Sequence, residues 1–179
     1  DLFSCHGTFY ELPAENADGF AKIRPVASHS FAINDYASYR GMMMLTGIDH
    51  SKAARNPHVV LSQDGKAAVW AGVIDDLWHM GKPTGHGGPW VESQVKAGVA
   101  SDPYLIGFYD KRTMSLSHTD AGNVVFTVEV DPTGDGEWFR YGSFEVPAGQ
   151  TFEHAFPQSF QGRWIRVTAD RDTKATAWF

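Results

Sequence analysis

The chain has 179 residues, enough to bury the core of one large domain or two small ones. Its 21 acidic and 15 basic residues give a net charge of −6 without a basic run, which disfavours binding to nucleic acid or to an anionic membrane. The longest apolar run, "GMMMLTGI", has eight residues, whereas a membrane-spanning helix needs about 20. The single cysteine, Cys5, excludes a disulfide within these residues and a zinc cluster built from cysteines.

Short β-strands are predicted through the first half of the chain. Clusters of Asn, Asp, Gly and Pro separate the segments "LFSCHGTFYEL", "FAKIRPVAS", "YRGMMMLTG", "HVVLS" and "KAAVWAGVI". In the first segment, His6 and Tyr10 are a candidate pair for abstracting the proton beside a uronate carboxylate, as in polysaccharide lyases. Arg24 or Arg40 would then neutralise that carboxylate.

The stretch "VIDDLWHMGKPTGHGGPW" lacks strand alternation and contains two adjacent carboxylates, Asp75 and Asp76. On an extended strand these two side chains point to opposite faces, so they do not share one substrate proton. Two alternatives stay open, a single catalytic aspartate in a hydrolase, or one aspartate capping a turn while the other is exposed. The end of this stretch predicts a boundary near residue 90, between a β-rich N-terminal segment (1–90), packed on or continuous with the second part, and a second part (91–179).

The second half shows the alternation of half-buried strands. In "NVVFTVEV" the residues Val124, Phe126, Val128 and Val130 share one face, and the turn-rich "DPTGDGE" joins this strand to "WFRYGSFEV" in a hairpin. The segments "TMSLSH", "RWIRVTAD" and "TKATAWF" follow the same pattern. With 18 glycines and nine prolines spread along the chain, the predicted fold class is all-β, an antiparallel β-sandwich of the jelly-roll or discoidin-like type with an additional N-terminal β-rich segment.

From Val124 onward, the order "FTVEVDPTGDGEW", "FEVPAGQTFEHAF" and "GRWIRVTAD" resembles discoidin-like or galactose-binding-like β-sandwich modules, taken to cover about residues 91–179. Many such modules bind carbohydrate as appendages of secreted bacterial enzymes, so the resemblance implies a sugar-binding role and a secreted, periplasmic or cell-surface location. The same sandwich also serves as a spacer. The segment "DGKAAVWAGVIDDLW" loosely resembles a β-propeller blade, which implies an incomplete propeller in residues 1–90.

A partial calcium motif lies in "DPTGDG". Asp131, Thr133 and Asp135 alternate before a glycine, as in an oxygen-rich calcium loop, but the twelfth position is Gly142 rather than the bidentate glutamate. The motif has two interpretations, a hairpin turn made by Pro, Gly and Asp, or a structural calcium ion held by Asp131 and Asp135. No other cofactor is expected.

Aromatic residues give the strongest functional signal of the sequence. They make up 13% of the chain, and several lie in segments predicted as loops or turns. A sugar ring presents C–H groups that stack on an exposed aromatic ring, while polar side chains bind its hydroxyls. The candidate ligand-binding residues are Trp78, His86, Trp90, Tyr104, Tyr109, Trp138 and Tyr141.

Three functional hypotheses follow. The first is a non-catalytic carbohydrate-binding or ancillary domain of a secreted, polysaccharide-acting bacterial protein, whose parent chain carries a neighbouring catalytic domain. The second is a polysaccharide lyase or glycoside hydrolase, whole or fragment, that uses His6 and Tyr10 or Asp75 and Asp76. The third is a structural scaffold module. Because the sequence begins in an apparent strand, we expect a C-terminal piece of a longer chain.

Overall fold

The structure is a computed structural model that describes residues 1–29, 31–49, 51 and 56–179. The prediction of an all-β protein is confirmed, since these residues form antiparallel sheets with only short 3₁₀ helices between them. The chain divides into two compact units. The first unit contains Asp1–Leu12 and Pro25–Thr84, and the second contains Pro13–Arg24 and Gly85–Phe179.

The first unit is built from two small sheets. One has the strand order β1-β2-β3 and the other the non-sequential order β4-β5-β7-β6. Large apolar side chains such as Phe9, Leu45 and Trp70 form its core. The strands are β1 (Leu2–Cys5), β2 (Thr8–Glu11), β3 (Arg24–Ser28), β4 (Asp35–Tyr39), β5 (Met42–Thr46), β6 (Val59–Leu61) and β7 (Ala68–Val73).

The segment "LFSCHGTFYEL" is a hairpin of two strands, and "YRGMMMLTG" begins at the turn of a second hairpin, whose first strand lies mostly before it. The chain turns back at His6–Gly7 between β1 and β2, and at Arg40–Gly41 between β4 and β5. In each turn both central residues have positive φ, 46° and 80° in the first and 50° and 83° in the second. This is the backbone of a two-residue hairpin turn, and glycine at the second position adopts it without strain.

The stretch 73–90 also differs from the sequence analysis. Ile74–His79 is a 3₁₀ helix rather than an extended strand, and a loop follows it to Trp90. The prediction that Asp75 and Asp76 lie on an extended strand is therefore wrong. Two further 3₁₀ helices span Glu15–Ala17 and Gly19–Lys22. No helix in the described ranges is long and apolar enough to cross a membrane.

The second unit is an antiparallel β-sandwich of two four-stranded sheets. One sheet has the order β13-β10-β15-β8 and the other the order β12-β11-β14-β9. Gly87 and Phe179 exchange two backbone hydrogen bonds of 3.0 and 2.6 Å, which tie the segment before β8 to the end of the chain. The strands are β8 (Trp90–Val95), β9 (Tyr104–Leu105), β10 (Thr113–His118), β11 (Val124–Asp131), β12 (Phe139–Val146), β13 (Thr151–Ala155), β14 (Trp164–Ala169) and β15 (Thr173–Trp178).

The core of this sandwich follows the alternation read from the sequence. The four residues predicted to share one face of β11 are all buried, and so are alternate residues of β14. Met114 and Leu116 of β10 meet them from the other sheet. Burial of these side chains removes apolar surface from water, which is the main stabilising term for such a unit.

Candidate functional site

Three loops of the second unit meet at one end of the sandwich and form a cleft. They are residues 106–112 between β9 and β10, 132–138 between β11 and β12, and 156–163 between β13 and β14. The cleft has a volume of about 280 Å³. It is lined by Gly107, Phe108, Tyr109, Asp110, Arg112, Pro132, Gln161, Gly162 and Arg163.

Backbone hydrogen bonds fix these loops against one another. The Ile106 and Gly107 amides both donate to the Arg163 carbonyl at 3.0 Å, and the Arg163 amide donates to the Asp131 carbonyl at 3.0 Å. Gly107 is required for this approach, because a Cβ atom there would lie 3.0 Å from the Gly162 carbonyl oxygen. The cleft therefore rests on paired backbone and not on side-chain packing alone.

The Asp131 carboxylate organises the loop between β11 and β12. It is buried and accepts backbone N–H bonds from Thr133, Gly134, Asp135 and Gly136, of which the two shortest are 2.7 and 2.8 Å. Burial alone raises the pKa of this carboxyl, but the four amides outweigh that effect and hold the pKa below its ordinary value.

Asp135, the other residue of the expected calcium site, pairs with the Lys22 ammonium, and that hydrogen bond lowers the pKa of the Asp135 carboxyl. In the described part of the chain, no group of three or more His, Cys, Asp or Glu side chains is arranged to hold a metal ion. Amides and an ammonium thus account for the loop, and the calcium ion stays a prediction.

Phe108 is the most unusual residue of the cleft. Its side chain is 45% exposed and its backbone has φ of 71°, a conformation that bulky residues rarely adopt. The Arg163 guanidinium carbon lies 4.7 Å from the centre of its ring. Phe108 thus presents an apolar ring at the cleft.

Two arginines give the cleft its positive charge. The Arg112 guanidinium lies 5.2 Å from the centre of the Phe160 ring, and Arg163 donates one N–H to the Ile23 carbonyl at 3.0 Å. Burial lowers the pKa of the Arg163 guanidinium, and the nearby charge of Arg24 lowers it further, against the opposing effect of two carboxylates. Gln161 and Asp110 add an amide and a carboxylate to the lining.

Of the seven candidate ligand residues, Tyr109 is the one that lines the cleft. Trp90 is only 8% exposed and belongs to the sandwich core, so its ring offers no surface to a ligand. Tyr104 stacks on Phe179 with ring centres 5.5 Å apart. Trp138 is partly covered by the Arg166 guanidinium, whose carbon lies 4.3 Å from the ring centre.

Tyr141 belongs to an aromatic cluster between the edge strands β12 and β13. Its hydroxyl lies 2.8 Å from Nε2 of His154, and Phe144, Phe152, Phe156 and Phe160 surround the pair. Burial raises the pKa of the Tyr141 phenol, which is the wrong direction for a tyrosine base. The cluster therefore closes one side of the sandwich.

Trp78 and His86 are the two candidate ligand residues that remain. Trp78 belongs to the 3₁₀ helix of the first unit and is 53% exposed. His86 belongs to the second unit, is exposed, and has its ring 6.0 Å from that of Trp178. Neither residue lines the cleft that Tyr109 enters.

The residues of the two catalytic hypotheses lie on the β1–β2 hairpin and on the 3₁₀ helix Ile74–His79. His6 lies in the β1–β2 turn, next to the pair Cys5 and Thr8. Tyr10 pairs with Phe3 and lies two residues beyond Thr8, a distance of about 7 Å along the strand. In the 3₁₀ helix, Asp75 is exposed and Asp76 accepts the Val73 amide at 2.8 Å. This arrangement is the alternative in which one aspartate caps a turn.

Asp76 has two histidine neighbours that the sequence did not bring together. Its carboxylate oxygens lie 3.9 Å from Nδ1 of His58 and 3.9 Å from Nδ1 of His79. His58 also contacts the Ala71 carbonyl through Nδ1 at 3.1 Å. The group ties the 3₁₀ helix to the sheet of the first unit.

Sequence reasoning missed most of the cleft, namely Phe108, Asp110, Arg112, Gln161 and Arg163. A usable signal was present in "IGFYDKR", where two aromatic residues, an aspartate and an arginine follow a glycine between two strands. The second loop, "SFQGR", carries no comparable signal. Comparison of the chain with protein-family models, with curated proteins and with solved structures found no match.

Proposed function

We propose that the second unit is a non-catalytic carbohydrate-binding module and that the cleft between its three loops is the sugar site. The observation that carries the proposal is the exposed ring of Phe108, whose backbone has positive φ, beside Tyr109 in a cleft. The same cleft is also lined by the polar side chains of Asp110, Arg112, Gln161 and Arg163. An aromatic surface flanked by hydrogen-bonding groups fits a sugar ring, whose faces are apolar and whose rim carries hydroxyls.

The size and construction of the cleft support the same function. A volume of about 280 Å³ is at the lower end of ligand pockets and suits one or two sugar rings. The lining loops are held by backbone hydrogen bonds to Arg163 and Asp131, so the site is formed before a ligand arrives. Preorganisation of this kind lowers the entropic cost of binding.

The wider role proposed is that of an ancillary domain of a secreted, polysaccharide-acting bacterial protein, with catalysis supplied by a neighbouring domain of the parent chain. None of the residues of the lyase and hydrolase hypotheses lines the cleft, which favours binding without turnover there. Polysaccharide is thus the proposed partner of the cleft.

Affinity electrophoresis through gels that contain neutral and acidic polysaccharides tests this proposal. The wild-type chain is expected to be retarded by at least one polymer. Phe108→Gly is expected to bind that polymer about tenfold more weakly, which corresponds to about 1.4 kcal/mol of binding free energy, and to be retarded less. Phe139→Ala is the matched control, since Phe139 is 55% exposed and does not line the cleft.

Two results would overturn the proposal. One is the absence of retardation on every polymer, and the other is unchanged retardation of Phe108→Gly. A parallel assay for unsaturated or reducing sugar ends separates binding from catalysis. Product formed by the purified chain would support the enzymatic alternative instead.

A further inference from the structure

Arg112 and Arg163 indicate which class of sugar the cleft binds. Among the described residues, no carboxylate lies within 4.0 Å of either the Arg112 or the Arg163 guanidinium, while most other basic side chains of the second unit have such a partner. Arg166, for example, pairs with Glu129 at 2.8 Å. The cleft thus holds two guanidinium groups that no carboxylate of the described residues contacts directly.

The hydrogen-bonding capacity of these arginines is also largely unused. A guanidinium carries five N–H donors. Among the described residues, Arg163 donates one of these N–H groups to the Ile23 carbonyl, and Arg112 donates none to a protein acceptor. Both side chains are partly buried, and each guanidinium lies over an aromatic ring.

We propose, on the basis of the function proposed above, that the cleft recognises an acidic saccharide, a sugar that bears a carboxylate or a sulfate ester. Phe108 and Tyr109 supply the surface for the sugar ring. Arg112 and Arg163 receive the anionic group through paired N–H donors, the geometry in which guanidinium binds carboxylate and sulfate most strongly.

The net charge of the whole chain bears on how an acidic polymer could bind. At a net charge of −6, long-range electrostatics repels a polyanion, so binding to an acidic polymer requires a local cationic site. Asp131 is held by backbone amides and Asp135 pairs with Lys22, and both carboxylates offset part of the Arg163 charge without contacting the guanidinium directly. Asp110 is the carboxylate that lines the cleft itself.

The test uses pairs of polymers that differ only in their anionic group. They are polygalacturonate and its methyl ester, alginate and its propylene glycol ester, and a carrageenan and its desulfated form. At low ionic strength we expect the wild-type chain to bind at least one acidic member about tenfold more tightly than its neutral partner. The pairs also distinguish a carboxylate from a sulfate ligand.

Arg112→Gln is expected to lose the preference for acidic polymers. Arg112→Lys keeps the positive charge but not the paired N–H donors of the guanidinium, and we expect it to lose part of the preference. Arg171→Gln is the control with the same change of charge, since Arg171 lies in the turn between β14 and β15, at the other end of β14 from Arg163. Circular dichroism verifies the fold of each variant. Where Arg112→Gln does not fold, the wild-type comparison of paired polymers decides.

The outcomes separate the two proposals. Equal binding of acidic and neutral members, or full binding of acidic members by folded Arg112→Gln, would overturn the acidic-saccharide inference and leave the sugar-binding function standing. Failure of the wild-type chain to bind any member of the panel would overturn both. A tenfold preference that Arg112→Gln loses and Arg171→Gln keeps supports the inference.

Discussion

The Arg163 guanidinium lies over the ring of Phe108, with 4.7 Å between its central carbon and the ring centre. This contact joins two loops that are far apart in sequence, and it sets an apolar ring and a cation side by side in the cleft. The backbone of Phe108 is held at φ of 71° to make it. This backbone conformation costs about 1 kcal/mol of stability in a phenylalanine.

Phe108→Gly is expected to leave the free energy of unfolding within about 1 kcal/mol of wild type. Glycine relieves the positive-φ strain, worth about 1 kcal/mol, and loses a similar amount through the greater entropy of its unfolded chain. Urea denaturation measures the difference. Phe126→Ala, a fully buried core change, should cost about 3–5 kcal/mol in the same assay. A comparable loss in Phe108→Gly would make the ring a structural element.

Replacement of the two tryptophans in the 73–90 stretch should have opposite effects. Trp90→Ala removes a core side chain and is expected to cost about 3–5 kcal/mol of stability, because the sandwich cannot fill the cavity. Trp78→Ala removes a ring that is 53% exposed and should cost about 1 kcal/mol or less. Thermal unfolding followed by near-ultraviolet circular dichroism distinguishes them, and equal losses would contradict the burial of Trp90 described above.

The Asp131 carboxylate should give the second unit an acid-sensitive component of stability. Its folded-state pKa is lowered, so its contribution is fully present above the ordinary carboxyl pKa of about 4 and is lost as the pH falls through the lowered value. Asp131→Asn is expected to destabilise the chain by about 2 kcal/mol at pH 7, since it loses the charged acceptor of Gly136. Denaturant titrations at pH 7 and pH 2.5 measure this; a difference between the two chains that does not shrink at the lower pH would contradict it.

Much of the sandwich was predictable from local pattern, and the cleft was not. Strand β11 alternates so regularly that its buried face follows from the sequence, and β14 does the same. The hairpins at His6 and Arg40 were missed because the positive φ of these residues is imposed by the strand pairing and is not a preference of their type. Trp90 was assigned to a loop in the sequence, whereas its side chain lies in the core at the start of β8.

The cleft itself depends on contacts between distant parts of the chain. Phe108 and Arg163 come from different loops and meet only because β9 and β14 pair at the edge of one sheet. The criterion of an aromatic residue in a loop selects Tyr109, which lines the cleft, but it also selects Tyr141, whose ring is enclosed by other aromatic side chains. Exposure is a property of tertiary packing, and residue type does not fix it.

His29 should make the first unit less stable at mildly acidic pH. Its Nδ1 accepts the Phe31 amide at 3.2 Å, and its buried Nε2 has no hydrogen-bond partner among the described residues. Burial lowers the pKa of this imidazole, so the unfolded chain takes up the proton first, and stability falls as the pH drops below the ordinary histidine pKa of about 6.5.

Amide hydrogen exchange of β2 and β3, corrected for the intrinsic pH dependence of exchange, measures this effect for the first unit alone. Protection is expected to decrease between pH 7 and pH 5 in the wild-type chain. His29→Phe, which has no titrating ring at this position, should not show the decrease. An equal decrease in both chains would assign the pH dependence to other groups.

Nuclear magnetic resonance of the labelled chain, titrated with an oligosaccharide cut from the polymer that binds best, tests the proposed carbohydrate-binding site most directly. The account predicts saturable shift changes concentrated on the amides of 107–112 and 161–163, which vanish in Phe108→Gly. Saturable changes centred elsewhere, for example on the 3₁₀ helix that carries Trp78, would contradict it.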